Sequence, residues 1–182
     1  MKSERITNVK PVVEAAIFIA LAFITRQLGF QILPQGGHVN VTALPLALYA
    51  VRNGVKWGIL MGAIYGIVVI MLVGILYHPL SGLLDFIFPS AAMGLAGLFE
   101  GNFRAYLGIL LGSIVGLASH ILSGVIIFGH FMPEVFFGLP MQNVFFYSLL
   151  YNAAHVIPSI VLSLVTLSLL HKPLNRFILG KI

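Results

Sequence analysis

The chain has 182 residues, of which 59% are hydrophobic and 8% charged, with a mean hydropathy of +1.05 and no cysteine. Such a composition excludes an ordinary soluble domain, and the missing cysteines exclude disulfides and thiolate metal sites. The net charge of +5 does not indicate nucleic acid, because the basic residues sit in short connections and at the chain ends, where they act as topology signals. Apolar segments run almost end to end, so residues 1–182 read as one integral membrane domain.

In chain order, Met1–Lys10 is polar and does not resemble a cleavable signal. Pro11–Leu33 is the first apolar segment, with Pro11 placed in a first helical turn and Arg26 near the far end, where a long basic side chain snorkels to the interface. Ala16 and Ala20 form a small-xxx-small pair that lets another helix approach closely. Leu33–Thr42, LPQGGHVNVT, is too polar for lipid and predicts a structured loop dipping toward a water-filled cavity. Val41–Val51 is short for a span and contains Pro45, which predicts a tilted, kinked or re-entrant helix. Gly54, Gly58, Gly62 and Gly66 then recur every four residues in a third segment reaching about Leu76, a pattern of close helix packing.

Leu80–Phe99 is apolar but carries Asp85. An acid within hydrocarbon is a functional-site hypothesis by default, because its charge must face protein, water or a counter-ion. Pro89, four residues on, cannot donate to the Asp85 carbonyl, which predicts a kink beside the carboxylate. The fifth segment, Tyr106–Phe128, repeats the ladder as Gly108, Gly112, Gly116, His120, Gly124, so His120 points toward protein. An aromatic loop, Gly129–Asn143, leads to the last span, Phe145–Leu170, in which Tyr147, Tyr151 and His155 recur at i, i+4, i+8 with Asn152 on the adjoining face and Pro158 kinking it further on.

Lys2, Arg5 and Lys10, then Arg52 and Lys56, then Arg104, then Lys172, Arg176 and Lys181 fall on alternate connections, and Arg26 alone falls on the other set. With about six spans, this asymmetry puts both termini in the cytoplasm. Asp85, His120, Tyr147 and Asn152 then share one depth beneath the outward loops. One acid, one histidine, a tyrosine, an asparagine and several aromatics make a recognition set rather than a catalytic one. They suit a flat, cationic, partly apolar small molecule, held by charge at low dielectric and by ring contacts. Two other readings stand beside it: an intramembrane enzyme acting on lipid, which needs paired acids where this chain offers one at depth, and a metal-uptake subunit built on His120, His130, His155 and Asp85.

The motifs LPQGGHVNVTALPL, VRNGVKWG, LLDFI with AAMGLAGLF, SHILSGVIIFG and YSLLYNAAHVIPS occur in order along nearly the whole chain. In these the chain resembles the thiamin-specific substrate-binding subunit, the S component, of energy-coupling factor transporters. That resemblance implies an all-α bundle of six transmembrane helices in a prokaryotic cell membrane, without a cofactor or catalytic residues of its own. It implies thiamin, or a precursor or related cationic vitamin, as ligand. It also implies capture from outside, docking onto a membrane coupling subunit, and energy from two ATP-binding-cassette ATPases, since no nucleotide motif occurs in this chain. Carried over by motif, Asp85 pairs with the thiazolium, with Phe86 beside it. His120, Tyr147 and Asn152 match the family's other binding residues, and Tyr151 and Gln35 of the outward loop are further candidates for contact with the ligand. Phe128 or Phe131 takes the place of the family's stacking tryptophan, since the one tryptophan here is Trp57. Ala16 and Ala20 match the docking motif of the first helix.

Overall fold

The computed structural model describes residues 2–34, 36–73, 77–101, 103–170 and 172. Among the described residues six helical units follow one another: α1 (Lys2–Gln27), α2 (Ala43–Asn53), α3 (Val55–Val73), α4 (Pro79–Leu98), α5 (Arg104–Ile126) and α6 (Val144–Leu169). Two small antiparallel hairpins close one end of the bundle, β1 (Phe30–Leu33) with β2 (Gly36–Val39), and β3 (Val135–Phe136) with β4 (Leu139–Pro140). Among the described residues, α3, α4, α5 and α6 are long and apolar enough to cross a membrane.

Several boundaries differ from the sequence expectation. Helix α1 begins well before Pro11, so the proline sits inside it, and the Pro11 carbonyl accepts a bond of 2.9 Å from the Tyr49 hydroxyl. The first apolar segment does not stay helical to Leu33. It stops at Gln27, and the chain enters the β1–β2 hairpin, where Gly36 and Gly37 take φ of +130° and +71°. Helix α2 is short, as expected, and its proline lies at its start rather than in its middle. Pro45 is its third residue after Thr42, in the first turn, where backbone N–H groups lack intrahelical partners anyway.

Helix α2 is the centre of the bundle. Leu44–Val51 are all buried, and the helix packs against α1, α3, α4, α5 and α6. The glycine ladders explain how the outer helices come close enough to enclose it. A Cβ on Gly66 would stand 2.6 Å from the Ile87 Cα and the Phe86 carbonyl oxygen, so α3 lies directly on the backbone of α4.

Helix α4 is not uniform. Pro79–Ser81 is α-helical, Gly82–Ile87 forms π-type turns, Phe88–Ala92 is α-helical and Met93–Leu98 is a 3₁₀ stretch. The π turns coincide with Asp85, just ahead of Pro89. A widened turn accommodates the donor that proline lacks and re-aims the side chains around it, and such bulges are common at functional sites.

At the end opposite the hairpins, Glu14 of α1 accepts bonds from Arg52 Nε at 3.0 and 3.2 Å and from Asn53 Nδ2 at 3.1 Å. Asp85 is therefore not the only acid within the helices. The first apolar segment contains a second one, with an arginine partner 38 residues away that no local pattern could reveal.

Candidate functional site

A cavity of about 700 Å³ lies between the β1–β2 hairpin and the middle of the bundle. Its floor includes Ala43 and Leu46 at the start of α2, and its walls include α4, α5 and α6. Of the residues singled out from the sequence, Asp85, Phe86, His120, Phe128, Phe131, Tyr147, Tyr151 and Asn152 all line it. Gln35 lies outside the described residues. Ala16 and Ala20 lie elsewhere, on an exposed face of α1 that they share with Val13, Ile17 and Ile24.

The charged feature of the cavity is the Asp85 carboxylate. Ser123 of α5 donates to its Oδ2 at 2.7 Å, and His120 Nδ1 stands 3.2 Å from its Oδ1. Ser119, one turn before Ser123, donates to the Leu84 carbonyl at 2.7 Å and ties α5 to the π turns. Among the described residues no lysine or arginine pairs with Asp85. A carboxylate in this setting is held by hydrogen bonds and left able to take a cation.

Asn152 behaves differently. Its Nδ2 donates to the Ser148 carbonyl at 2.8 Å and to the His120 carbonyl at 3.3 Å, bracing α6 against α5. What it leaves toward the cavity is Oδ1, which faces His155 Nε2 at 3.4 Å. The amide therefore offers an acceptor, suited to a ligand N–H. The two helices approach because of Gly124, where a Cβ would stand 2.9 Å from the Ser148 Cβ.

Aromatic groups roof the chamber. Tyr77 contacts Phe128 and Phe131 with centroids 5.4 and 5.5 Å apart, and its hydroxyl meets His130 Nε2 at 3.0 Å. Phe136 of β3 stacks on Tyr151 at 5.9 Å and meets Tyr147 edge-on at 5.3 Å. The turn that delivers Phe136 places Phe137 and Gly138 at φ +52° and +75°, the paired left-handed conformation of a two-residue hairpin, unusual for an aromatic residue. Among the described residues, no three His, Asp or Glu side chains converge as metal ligands.

Sequence reasoning missed several lining groups: Ser81, Tyr77, Asn40, His38 and Arg26. Arg26 does not snorkel away. It lines the cavity, with its guanidinium carbon 6.0 Å from the Phe86 ring centroid. His38, in the hairpin, is held below the ordinary histidine range by burial and by the nearby Arg26 cation.

A family model described as "Thiamine transporter protein (Thia_YuaJ)" matches residues 12–179. The chain is 34% identical over 184 residues to "Thiamine transporter ThiT" of Bacillus subtilis (strain 168), a match covering 91% of this chain and 92% of the relative. It is 27% identical over 174 residues to "Thiamine transporter ThiT" of Lacticaseibacillus paracasei, covering 86% and 82% respectively. A solved structure of ThiT from Listeria monocytogenes has the same fold, with a TM-score of 0.82 at 16% identity, over 94% of this chain and 98% of that one.

Proposed function

The chain belongs to the thiamine transporter family, a family of membrane transport proteins rather than enzymes, and from that premise we propose that its cavity captures thiamin for import. The observation that carries the reading is Asp85, a carboxylate held by His120 and Ser123 in an aromatic-walled cavity with no lysine or arginine partner among the described residues. A thiazolium beside it supplies the missing positive charge without a hydration shell, where Coulomb attraction is stronger than in water. Phe86, Tyr147 and Tyr151 supply ring faces, with Phe128 or Phe131 covering the pyrimidine. The Asn152 Oδ1 accepts from the exocyclic amine, while His120 holds the carboxylate in place.

The charge asymmetry supports an orientation with the hairpins outside and both termini in the cytoplasm, so the ligand enters from outside. Ala16 and Ala20, small and exposed on α1, suit close docking of a coupling subunit carrying two ATPases, the partners that give an S component its energy. Calorimetry on the purified protein tests the reading. Thiamin binds saturably, and Asp85→Asn weakens thiamin far more than a neutral analogue in which the thiazolium is replaced by an uncharged ring. Equal losses for both ligands would remove the charge-pairing role.

A further inference from the structure

A chamber that selects a cation has one feature that works against it, the Arg26 guanidinium on its own lining. Of the ten lysines and arginines, Arg26 alone falls outside the alternating set of basic connections, so topology does not account for it. Among the described residues no carboxylate lies within ion-pair distance of it, and what it meets is the face of Phe86 at 6.0 Å. Arg52, by contrast, has Glu14 at 3.0 Å. The ring orients the guanidinium without neutralising it, and most of its five N–H donors stay available.

A second unused group stands near it. His38 Nδ1 is buried and has no hydrogen-bond partner among the described residues, and His38 lines the same cavity as Arg26 and senses its charge. An unsatisfied buried ring nitrogen beside an uncompensated cation is a costly arrangement unless something fills it. The ring nitrogens of an aminopyrimidine can accept from a guanidinium but leave its charge unmatched, and a like charge in the chamber weakens a cation at Asp85. An oxyanion reverses both penalties, and a planar guanidinium matches phosphate with two parallel bonds.

We propose that Arg26, with His38 beside it, forms an oxyanion subsite that takes the phosphate of a phosphate ester of the cationic ligand, so that the chamber holds a molecule with a positive pole at Asp85 and a negative pole at Arg26. This rests on the thiamin reading and deepens it. Arg26 then sets selectivity between the free alcohol and its ester.

The test is calorimetry on the full chain in detergent with thiamin and with thiamin monophosphate. For Arg26→Gln, the ratio of the monophosphate Kd to the thiamin Kd rises at least roughly tenfold over the wild-type ratio, as expected for a lost charged hydrogen-bonding partner. Arg26→Lys, which keeps the charge and loses the fork, raises the ratio by about threefold and decides the matter if the glutamine variant does not fold. A ratio unchanged in the folded variants, or a wild-type protein that binds thiamin but not the monophosphate, overturns the subsite and leaves thiamin capture standing. A wild-type protein that binds neither overturns both.

Discussion

Two carboxylates lie within the apolar segments of this protein, Glu14 and Asp85, and they are partnered in opposite ways. Glu14 is matched inside the chain: Arg52 and Asn53 fill its oxygens and lock α1 to α2 at the end away from the hairpins. Asp85 is given a serine hydroxyl and a histidine, and it opens on a cavity. Glu14 has an arginine partner, and Asp85, among the described residues, has neither arginine nor lysine. The difference separates a charge that holds the fold from one held in reserve for something that arrives, and it is readable only from partners, since both side chains are similarly shielded.

The sharpest way to break this comparison is to remove each charge and read affinity and stability together. Asp85→Asn should weaken thiamin by roughly 100-fold, about 3 kcal/mol, as for other truncated buried charge pairs, with the melting temperature in detergent unchanged or raised because a desolvated charge has gone. A lower melting temperature without loss of affinity would make Asp85 structural. Glu14→Gln should do the reverse. It strands the half-buried Arg52 and lowers unfolding free energy by about 2 kcal/mol, with ligand affinity within a factor of about three. Equal affinity losses from the two variants would erase the distinction.

Smaller effects sharpen it. Ser123→Ala removes the 2.7 Å donor to Asp85 and should weaken thiamin by about five- to tenfold, the worth of one charged hydrogen bond at its lower end. The last prediction concerns pH. The pKa of His38 is lowered in the fold, so the unfolded chain binds its proton first as pH falls. The stability His38 contributes is fully present above about pH 6.5 and is lost below it. Between pH 7.5 and pH 5, the melting temperature of wild-type protein should therefore fall further than that of His38→Gln. Parallel decreases would clear His38 of the effect.

The site was legible in the sequence where chemistry stood out against hydrocarbon. Asp85 in LLDFI, His120 in a glycine ladder and Asn152 beside two tyrosines are polar exceptions on apolar helices, and helical spacing alone aligns them. Ser123 was not legible, because a serine in an apolar helix satisfies itself on its own backbone as readily as it serves a neighbour. Phe136 reaches its tyrosines only through the β3–β4 turn, whose left-handed Phe137 is not a residue that signals such a turn. Glu14 was passed over because its partner is remote in sequence, and Arg26 was assigned to the interface because snorkelling accounts for most arginines at helix ends. The six helical units were legible in number and order, whereas their ends moved wherever a glycine or a proline had two permissible uses.

The eleven residues of α2 have a further consequence. At 1.5 Å per residue the helix is about 16 Å long, roughly half of the hydrocarbon thickness. Its neighbours α3, α4, α5 and α6 are long enough to run the full depth, so the bundle is built around a column that stops midway, and the chamber occupies the unfilled remainder. The ligand in effect completes an interrupted helix. The starting point of α2 is then a gauge of ligand length: each turn added ahead of Ala43 would raise the floor by about 5.4 Å, and each turn removed would admit a longer guest.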